Sequence, residues 1–162
     1  MRTWLDSSSL IGLDRIGKIR LLHTLLDRVF ITPEVAAEVR AGQVSEALSS
    51  ALGKWILIRP AGRGQGRIRA HGLGDGESSL LRTPAADRLV LDDLPARRVA
   101  EAEGRDFTGL LGLLRSAALS GTITNTQCRE TIDRLLEHGF HVSAPLYAEL
   151  LRSETTTPSD EE

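Results

Sequence analysis

The chain has few of the residues on which several classes of protein depend. It has one cysteine, Cys128, among 162 residues, which excludes an intrachain disulfide and a cysteine-rich zinc site. Aromatic residues make up only 4% of the chain, too few for a platform that stacks the bases of single strands. No apolar run approaches the roughly 18 residues of a membrane span, and the N-terminus does not resemble a signal peptide. We therefore expect a cytoplasmic protein.

The charge balance does not indicate a partner. The chain has 20 basic and 22 acidic residues, for a net charge of −2. Lys18 and Lys54 are the only lysines, and we interpret the excess of arginine as the mark of a GC-rich genome rather than of phosphate binding. Nucleic-acid binding would have to be argued from a local patch.

Apolar, strand-like segments alternate with segments of helical periodicity, which predicts an α/β domain with a parallel sheet. The predicted strands are residues 3–5, 29–31, 55–58 and 88–91, with 106–108 as a candidate fifth strand. One helix is predicted to begin near Leu10, after the capping serines 7–9, and another at Pro33. The other predicted helices cover residues 19–26, 44–52, 74–81, 95–103, 109–119, 125–137 and 144–151. We expect one domain over residues 1–152, followed by a disordered acidic tail over residues 153–162.

Four acids stand at corresponding places in this pattern. Asp6 and Asp92 come at the ends of predicted strands, while Glu38 and Glu77 lie in or near the first turns of helices. Because functional sites of parallel sheets lie beyond the carboxyl ends of the strands, these side chains are expected to converge there. Clustered carboxylates repel one another unless a cation joins them, and Mg²⁺ and Mn²⁺ prefer such oxygen ligands. The spacing therefore predicts a divalent-metal site.

Each acid also has a structural interpretation. Asp6 fits a helix cap, Glu38 fits a solvated helix surface, and residues 92–93 fit a turn. Asp75 is a weaker candidate ligand than its neighbour, because its flanking glycines make it a plausible N-cap. Four acids at these positions together favour the metal site over the structural interpretations.

The order and spacing of several short motifs resemble PIN-domain proteins. The motifs are Leu5-Asp6-Ser7-Ser8-Ser9-Leu10-Ile11, Ile31-Thr32-Pro33-Glu34-Val35 with Glu38-Val39, Leu73-Gly74-Asp75-Gly76-Glu77, Leu91-Asp92-Asp93 with Arg97-Arg98-Val99-Ala100, and Phe107-Thr108-Gly109-Leu110-Leu111-Gly112-Leu113-Leu114. The resemblance covers residues 3 to about 150 and is greatest to a prokaryotic subgroup related to VapC-type toxins.

This resemblance implies a three-layer α/β/α sandwich and a Mg²⁺- or Mn²⁺-dependent ribonuclease. The catalytic and metal-binding acids would be Asp6, Glu38, Glu77 and Asp92, with Asp93 competing for the last place; supporting hydroxyls would be Ser7, Ser8 and Thr108, the last of which fits a helix cap equally well. The implied partners are an RNA substrate, a small antitoxin protein and a second copy of the chain. Two departures from the family pattern are the glycine- and arginine-rich segment 62–74 and the serines at 78–79.

Basic residues near the predicted site have two interpretations. Arg63, Arg67 and Arg69, together with Arg97 and Arg98, are candidates for contacts with an RNA backbone. The alternative is that the first three only solubilise a loop.

Three histidines are weak candidates for the predicted site, and two other classes of function compete with a nuclease. His23, His138 and His141 are interpreted as structural or surface residues. An inactive PIN-like binding module is the alternative function, although the intact acid set argues against it. A receiver-like domain is rejected because neither lysine follows a late strand.

Overall fold

The computed structural model describes residues 1–62, 72–142, 144–145, 147–148 and 152. Within these residues the strands are β1 (Thr3–Leu5), β2 (Val29–Ile31), β3 (Ile56–Ile58), β4 (Arg88–Val90) and β5 (Phe107–Thr108). The helices are α1 (Ser7–Arg15), α2 (Leu21–Leu25), α3 (Pro33–Ala41), α4 (Glu46–Ala51), α5 (Asp75–Leu81), α6 (Leu94–Ala102), α7 (Leu110–Leu119) and α8 (Asn125–Glu137). Arg63, Arg67, Arg69 and the predicted tail 153–162 lie outside the described residues, as does half of the predicted helix 144–151.

The five strands form one parallel sheet in the order β3-β2-β1-β4-β5. Thr3 of the central strand β1 lies opposite Val29 on one side and Arg88 on the other. Parallel neighbours require crossover connections, and the helices between the strands provide them. The predicted α/β/α sandwich is confirmed, including the candidate fifth strand.

The core lies where the strands pack against the helices. Leu5, Ile31 and Leu89 are fully buried, and they come from three adjacent strands. Trp4 is also buried, and its indole nitrogen donates a hydrogen bond of 2.9 Å to Asp87 Oδ2. This bond satisfies the polar group of a tryptophan that is otherwise surrounded by apolar side chains.

The starts of two helices differ from the sequence-based predictions. Asp6, rather than the serine run, is the N-cap of α1, which therefore begins at Ser7. Aspartate and serine both cap helices well, so three serines after an aspartate leave the first residue of the helix open. In α5 the N-cap is Gly74, and Asp75 is the first helical residue rather than the cap.

None of the described helices is both long enough and apolar enough to cross a membrane.

Candidate active site

Asp6 joins the carboxyl ends of β1 and β4. Its Oδ1 accepts a hydrogen bond of 3.0 Å from the backbone N–H of Ser9, which caps α1. Its Oδ2 accepts a bond of 2.8 Å from the backbone N–H of Asp92. With 3% of its surface exposed, this carboxylate is held in place from both sides.

Asp92 is fixed next to Asp6 by two further donors. Its Oδ2 accepts a bond of 2.7 Å from the hydroxyl of Ser9, and its Oδ1 accepts a bond of 3.0 Å from the backbone N–H of Leu110, the first residue of α7. Burial raises the pKa of Asp92. Burial and, to a smaller extent, the charge of Asp92 raise the pKa of Asp6 from 3.8 to about 7. Two buried carboxylates in this position resist ionising together.

Glu38 reaches the same region from α3. Its Oε1 accepts a bond of 2.9 Å from the backbone N–H of Gly76, and its Oε2 accepts one of 2.8 Å from the hydroxyl of Ser7. A β-carbon on Gly76 would lie 2.5 Å from Glu38 Oε2. Glycine at this position is therefore what allows the carboxylate to approach α5 so closely.

Glu77 projects from α5 and is half-buried. Partial burial raises its pKa, and the charges of Glu38, Asp93 and Asp6 raise it further. Asp93 caps α6 by accepting a hydrogen bond of 3.0 Å from the backbone N–H of Ala96. Because these charges change the pKa of Glu77, the carboxylates that follow β1, project from α3 and α5, and lie in the β4–α6 connection are close enough to interact electrostatically.

A family model described as DUF3368: PIN domain matches residues 3–155, nearly the whole chain. The chain belongs to the PIN-domain family. PIN domains are in general nucleases, which hydrolyse phosphodiester bonds, and they typically use divalent metal ions. Comparison with curated proteins and with solved structures finds no match.

The other predicted site residues of this PIN domain are placed differently. Ser7 contacts Glu38, whereas Ser8 is exposed. Thr108 ends β5, and its hydroxyl donates a hydrogen bond of 3.3 Å to the carbonyl of Gly109.

The two described arginines of the predicted RNA-binding set also differ from each other. The guanidinium of Arg97 lies 5.4 Å from the centre of the Phe107 ring and donates a long hydrogen bond, 3.4 Å, to the carbonyl of Leu91. Its positive charge opposes the rise in the pKa of Asp92 and so favours the ionised form of that carboxylate. Arg98 is exposed. The loop arginines 63, 67 and 69 lie outside the described residues.

Ser9 and two backbone donors were not among the predicted site residues. Ser9 is fully buried and is the hydroxyl that orients Asp92, whereas the predicted hydroxyls were those of Ser7 and Ser8. Gly76 and Leu110 contribute backbone N–H groups, which every residue except proline has, so the sequence does not reveal them. The only available signal was the third serine of the run, which follows Asp6 by three residues and therefore lies on the same face of α1.

The acids open onto a cleft of about 400 Å³ that follows α1. Glu77, Asp92 and Asp93 line it beside Ser7 and Ser8. The remaining lining residues are Ile11, Gly12 and Arg15 of α1, together with Leu135, His138, Gly139, Phe140 and His141 at the end of α8. His138 and His141, interpreted from the sequence as structural or surface residues, thus lie in the same cleft as the acids.

The donor set fits a hard divalent cation in its chemistry. All the ligands on offer are carboxylate oxygens, which Mg²⁺ and Mn²⁺ prefer. Asp6, Asp92 and Glu38 each accept hydrogen bonds at both oxygens, but a carboxylate has about four lone pairs, so the bonded oxygens keep capacity for a metal. The hydroxyls of Ser7 and Ser9 match the outer-shell partners that orient metal ligands. As the side chains stand, no three His, Cys, Asp or Glu residues of the described part of the chain are grouped closely enough to hold an ion.

Proposed function

We propose that this PIN domain is a Mg²⁺- or Mn²⁺-dependent endoribonuclease and the toxin component of a toxin–antitoxin pair. One observation carries the proposal: acids from four separate elements cluster around Glu77 at the cleft, where burial raises the pKa of Asp6, Asp92 and Glu77 and repulsion between carboxylates raises those of Asp6 and Glu77 further. Such a cluster destabilises the empty site, and a divalent cation would remove that cost.

Asp6, Glu38, Glu77 and Asp92 would hold the cation, with Asp93 at the edge of the set. When bound, a divalent cation lowers the pKa of water and offsets charge on a phosphoryl group. The protein's own contribution is to place the acids before the substrate arrives. Ser9 and the N–H of Leu110 orient Asp92, and Ser7 and the N–H of Gly76 orient Glu38.

Glu77 would be well placed to contact the substrate directly. It lines the cleft and is half-buried, whereas Asp6 lies behind it and is almost fully buried. A scissile phosphate entering the cleft would therefore meet Glu77 and Asp92 before it reached Asp6.

The toxin role rests on the resemblance to VapC-type proteins. That resemblance also supports RNA as the substrate, a homodimer, and an antitoxin segment that covers the acidic cleft. A short open reading frame immediately upstream of the gene would support the toxin role, and co-expression of its product should suppress cleavage. Cleavage that continues unchanged in the presence of that product would favour a processing enzyme.

The decisive test is Glu77→Gln, with Asp75→Asn as its matched control. Both changes remove one negative charge from the first turn of α5, but only Glu77 lines the cleft. We expect Glu77→Gln to reduce the rate of cleavage of single-stranded RNA in Mg²⁺ or Mn²⁺ by about 100-fold or more, as removal of one preorganised charge at an active site does. Asp75→Asn should leave the rate unchanged.

The alternative function is a catalytically inactive PIN-like module. The absence of a ready-made three-ligand group among the described residues favours it. Such a module would give no cleavage above background in the wild-type chain at any divalent-metal concentration, and Glu77→Gln would have no effect. Equal loss of activity in Glu77→Gln and Asp75→Asn would contradict the assignment of Glu77 within an active enzyme.

A further inference from the structure

The cleft has basic residues as well as acids. Arg15, His138 and His141, which we call the basic side, line the same cleft as the carboxylates. The cleft follows α1 from Ser7 to Arg15, a length of about 12 Å at 1.5 Å per residue. Arg15 therefore lies about two helical turns from the acids, far enough to contact a different part of a bound ligand.

The turn after α8 is held against α1 by packing. Gly139 adopts a φ of +85°, and the N–H of Phe140 donates a hydrogen bond of 2.9 Å to the carbonyl of Leu135. Phe140 then packs on α1 at Gly12, where an added β-carbon would lie 2.7 Å from the ring. A side chain at position 12 would push this turn away from α1, so the position of the two histidines depends on that glycine.

His138 is oriented for a ligand in the cleft. Its Nδ1 lies 2.8 Å from the carbonyl oxygen of Arg134, which can only accept, so Nδ1 carries the hydrogen. Nε2 is then the ring nitrogen available to the cleft. His138, His141 and Arg15 are all exposed and are therefore not needed to fill the core.

We propose that the basic side binds the ribose-phosphate backbone of the nucleotide next to the cleaved bond, in single-stranded RNA. This inference rests on the proposed nuclease function and assigns a substrate-binding role to three residues outside the acid set. Arg15 would pair with a phosphate, His138 and His141 would hydrogen-bond to ribose 2′-hydroxyls, which both donate and accept, and Ile11 and Phe140 would provide an apolar surface for the base.

The size of the cleft favours a single strand. A volume of about 400 Å³ is typical of a small-molecule pocket and admits only a small part of an extended strand. In a duplex the bases are stacked inside and the helix is too wide to enter a cleft of this size. An acidic peptide is the competing ligand, since it also carries negative charge to Arg15.

The test measures binding separately from cleavage. Fluorescence anisotropy in Mg²⁺ would give the Kd of a short labelled single-stranded RNA for the Glu77→Gln chain, with the RNA checked on a gel for integrity. We expect added Arg15→Ala to raise the Kd about tenfold and to reduce the slope of log Kd against log salt by about 0.7, the value for one phosphate contact on a single strand. The pair His138→Ala and His141→Ala should also raise the Kd about tenfold but change the slope less than Arg15→Ala does, because the slope reports charge neutralised and the guanidinium carries a permanent charge.

Arg129→Ala and His23→Ala are the matched controls, because both residues are exposed and do not line the cleft. Gly12→Ala is a second route to the same result, since it displaces the turn without changing a charge. Unchanged affinity in the Arg15 and histidine variants would overturn the inference, as would equal affinity for duplex RNA or displacement of the RNA by an acidic peptide at equal concentration. If these variants weaken binding while the wild-type chain cleaves nothing, RNA binding by the basic side is supported and the proposed nuclease function is contradicted.

Discussion

The four acids of the site are held in two different ways. Asp6 and Asp92 follow neighbouring strands and accept hydrogen bonds from groups of α1 and α7 and from each other's segment. Glu38 projects from α3 and likewise accepts at both oxygens, from Ser7 of α1 and the Gly76 N–H of α5. These three acids connect elements of the fold, whereas Glu77 projects from α5 and lines the cleft.

This difference decides whether replacing an acid changes the stability of the fold, the activity, or both. An acid that connects elements cannot be removed without leaving buried donors unpaired, so its loss affects folding and chemistry together. An acid on a helix surface can be changed with little effect on the fold. Asp6→Asn is therefore a less informative test of catalysis than Glu77→Gln, since an amide cannot accept from both the Ser9 and the Asp92 N–H groups.

The largest expected contrast is in stability. Asp92→Ala leaves the buried Ser9 hydroxyl and the Leu110 N–H without their acceptor, and we expect it to reduce the free energy of unfolding by about 2–3 kcal/mol. Glu77→Ala should change it by no more than about 0.5 kcal/mol. Urea unfolding followed by circular dichroism measures both. Equal losses of stability in the two variants would show that Asp92 and Glu77 do not differ in structural role.

The next contrast is in the response to pH. The folded protein holds a proton on Asp6 between pH 3.8 and about 7, a range in which the unfolded chain has released it. The free energy of unfolding of the metal-free protein should therefore fall as pH rises through that window, by up to about 4 kcal/mol at about 1.4 kcal/mol per pKa unit. Asp92 and Glu77 have pKa values raised in the same direction and add to the fall.

Thermal unfolding across that pH window, with and without Mg²⁺, measures this effect. Added Mg²⁺ should restore stability most at the upper end, where the carboxylates are ionised, and the rise in Tm should saturate. A stability that increases with pH in the metal-free protein would contradict the account of the buried acids.

The positions of the acids in the fold follow from simple patterns in the sequence. A short apolar run that ends in an aspartate specifies a strand and the edge at which its carboxylate lies, as for Asp6 and Asp92. Thr32 as the N-cap and Pro33 as the first helical residue specify where α3 starts and so the turn that carries Glu38. These signals are local, and each needs only a few neighbouring residues.

The remaining features depend on packing between distant segments. The contact between Gly12 and Phe140 joins residues far apart in the chain, so nothing near either residue indicated that the end of α8 reaches the cleft. Backbone donors such as the Leu110 N–H carry no residue-type signal. The choice between Ser8 and Ser9 depended on which residue begins α1, because a shift of one position rotates a side chain by about 100°.

The serine run provides the smallest and sharpest contrast, with a control built into the chain. Ser9 is buried and bonds to Asp92, Ser7 is half-buried and bonds to Glu38, and Ser8 between them is exposed. We expect Ser9→Ala to reduce the free energy of unfolding by about 1 kcal/mol, Ser7→Ala by about half as much, and Ser8→Ala by less than either. The urea midpoints of the three single variants measure the order. Because all three substitutions remove one hydroxyl from one turn of one helix, an inverted order would mean that Asp6 does not set the start of α1, and the orientation of both acid pairs would need to be reconsidered.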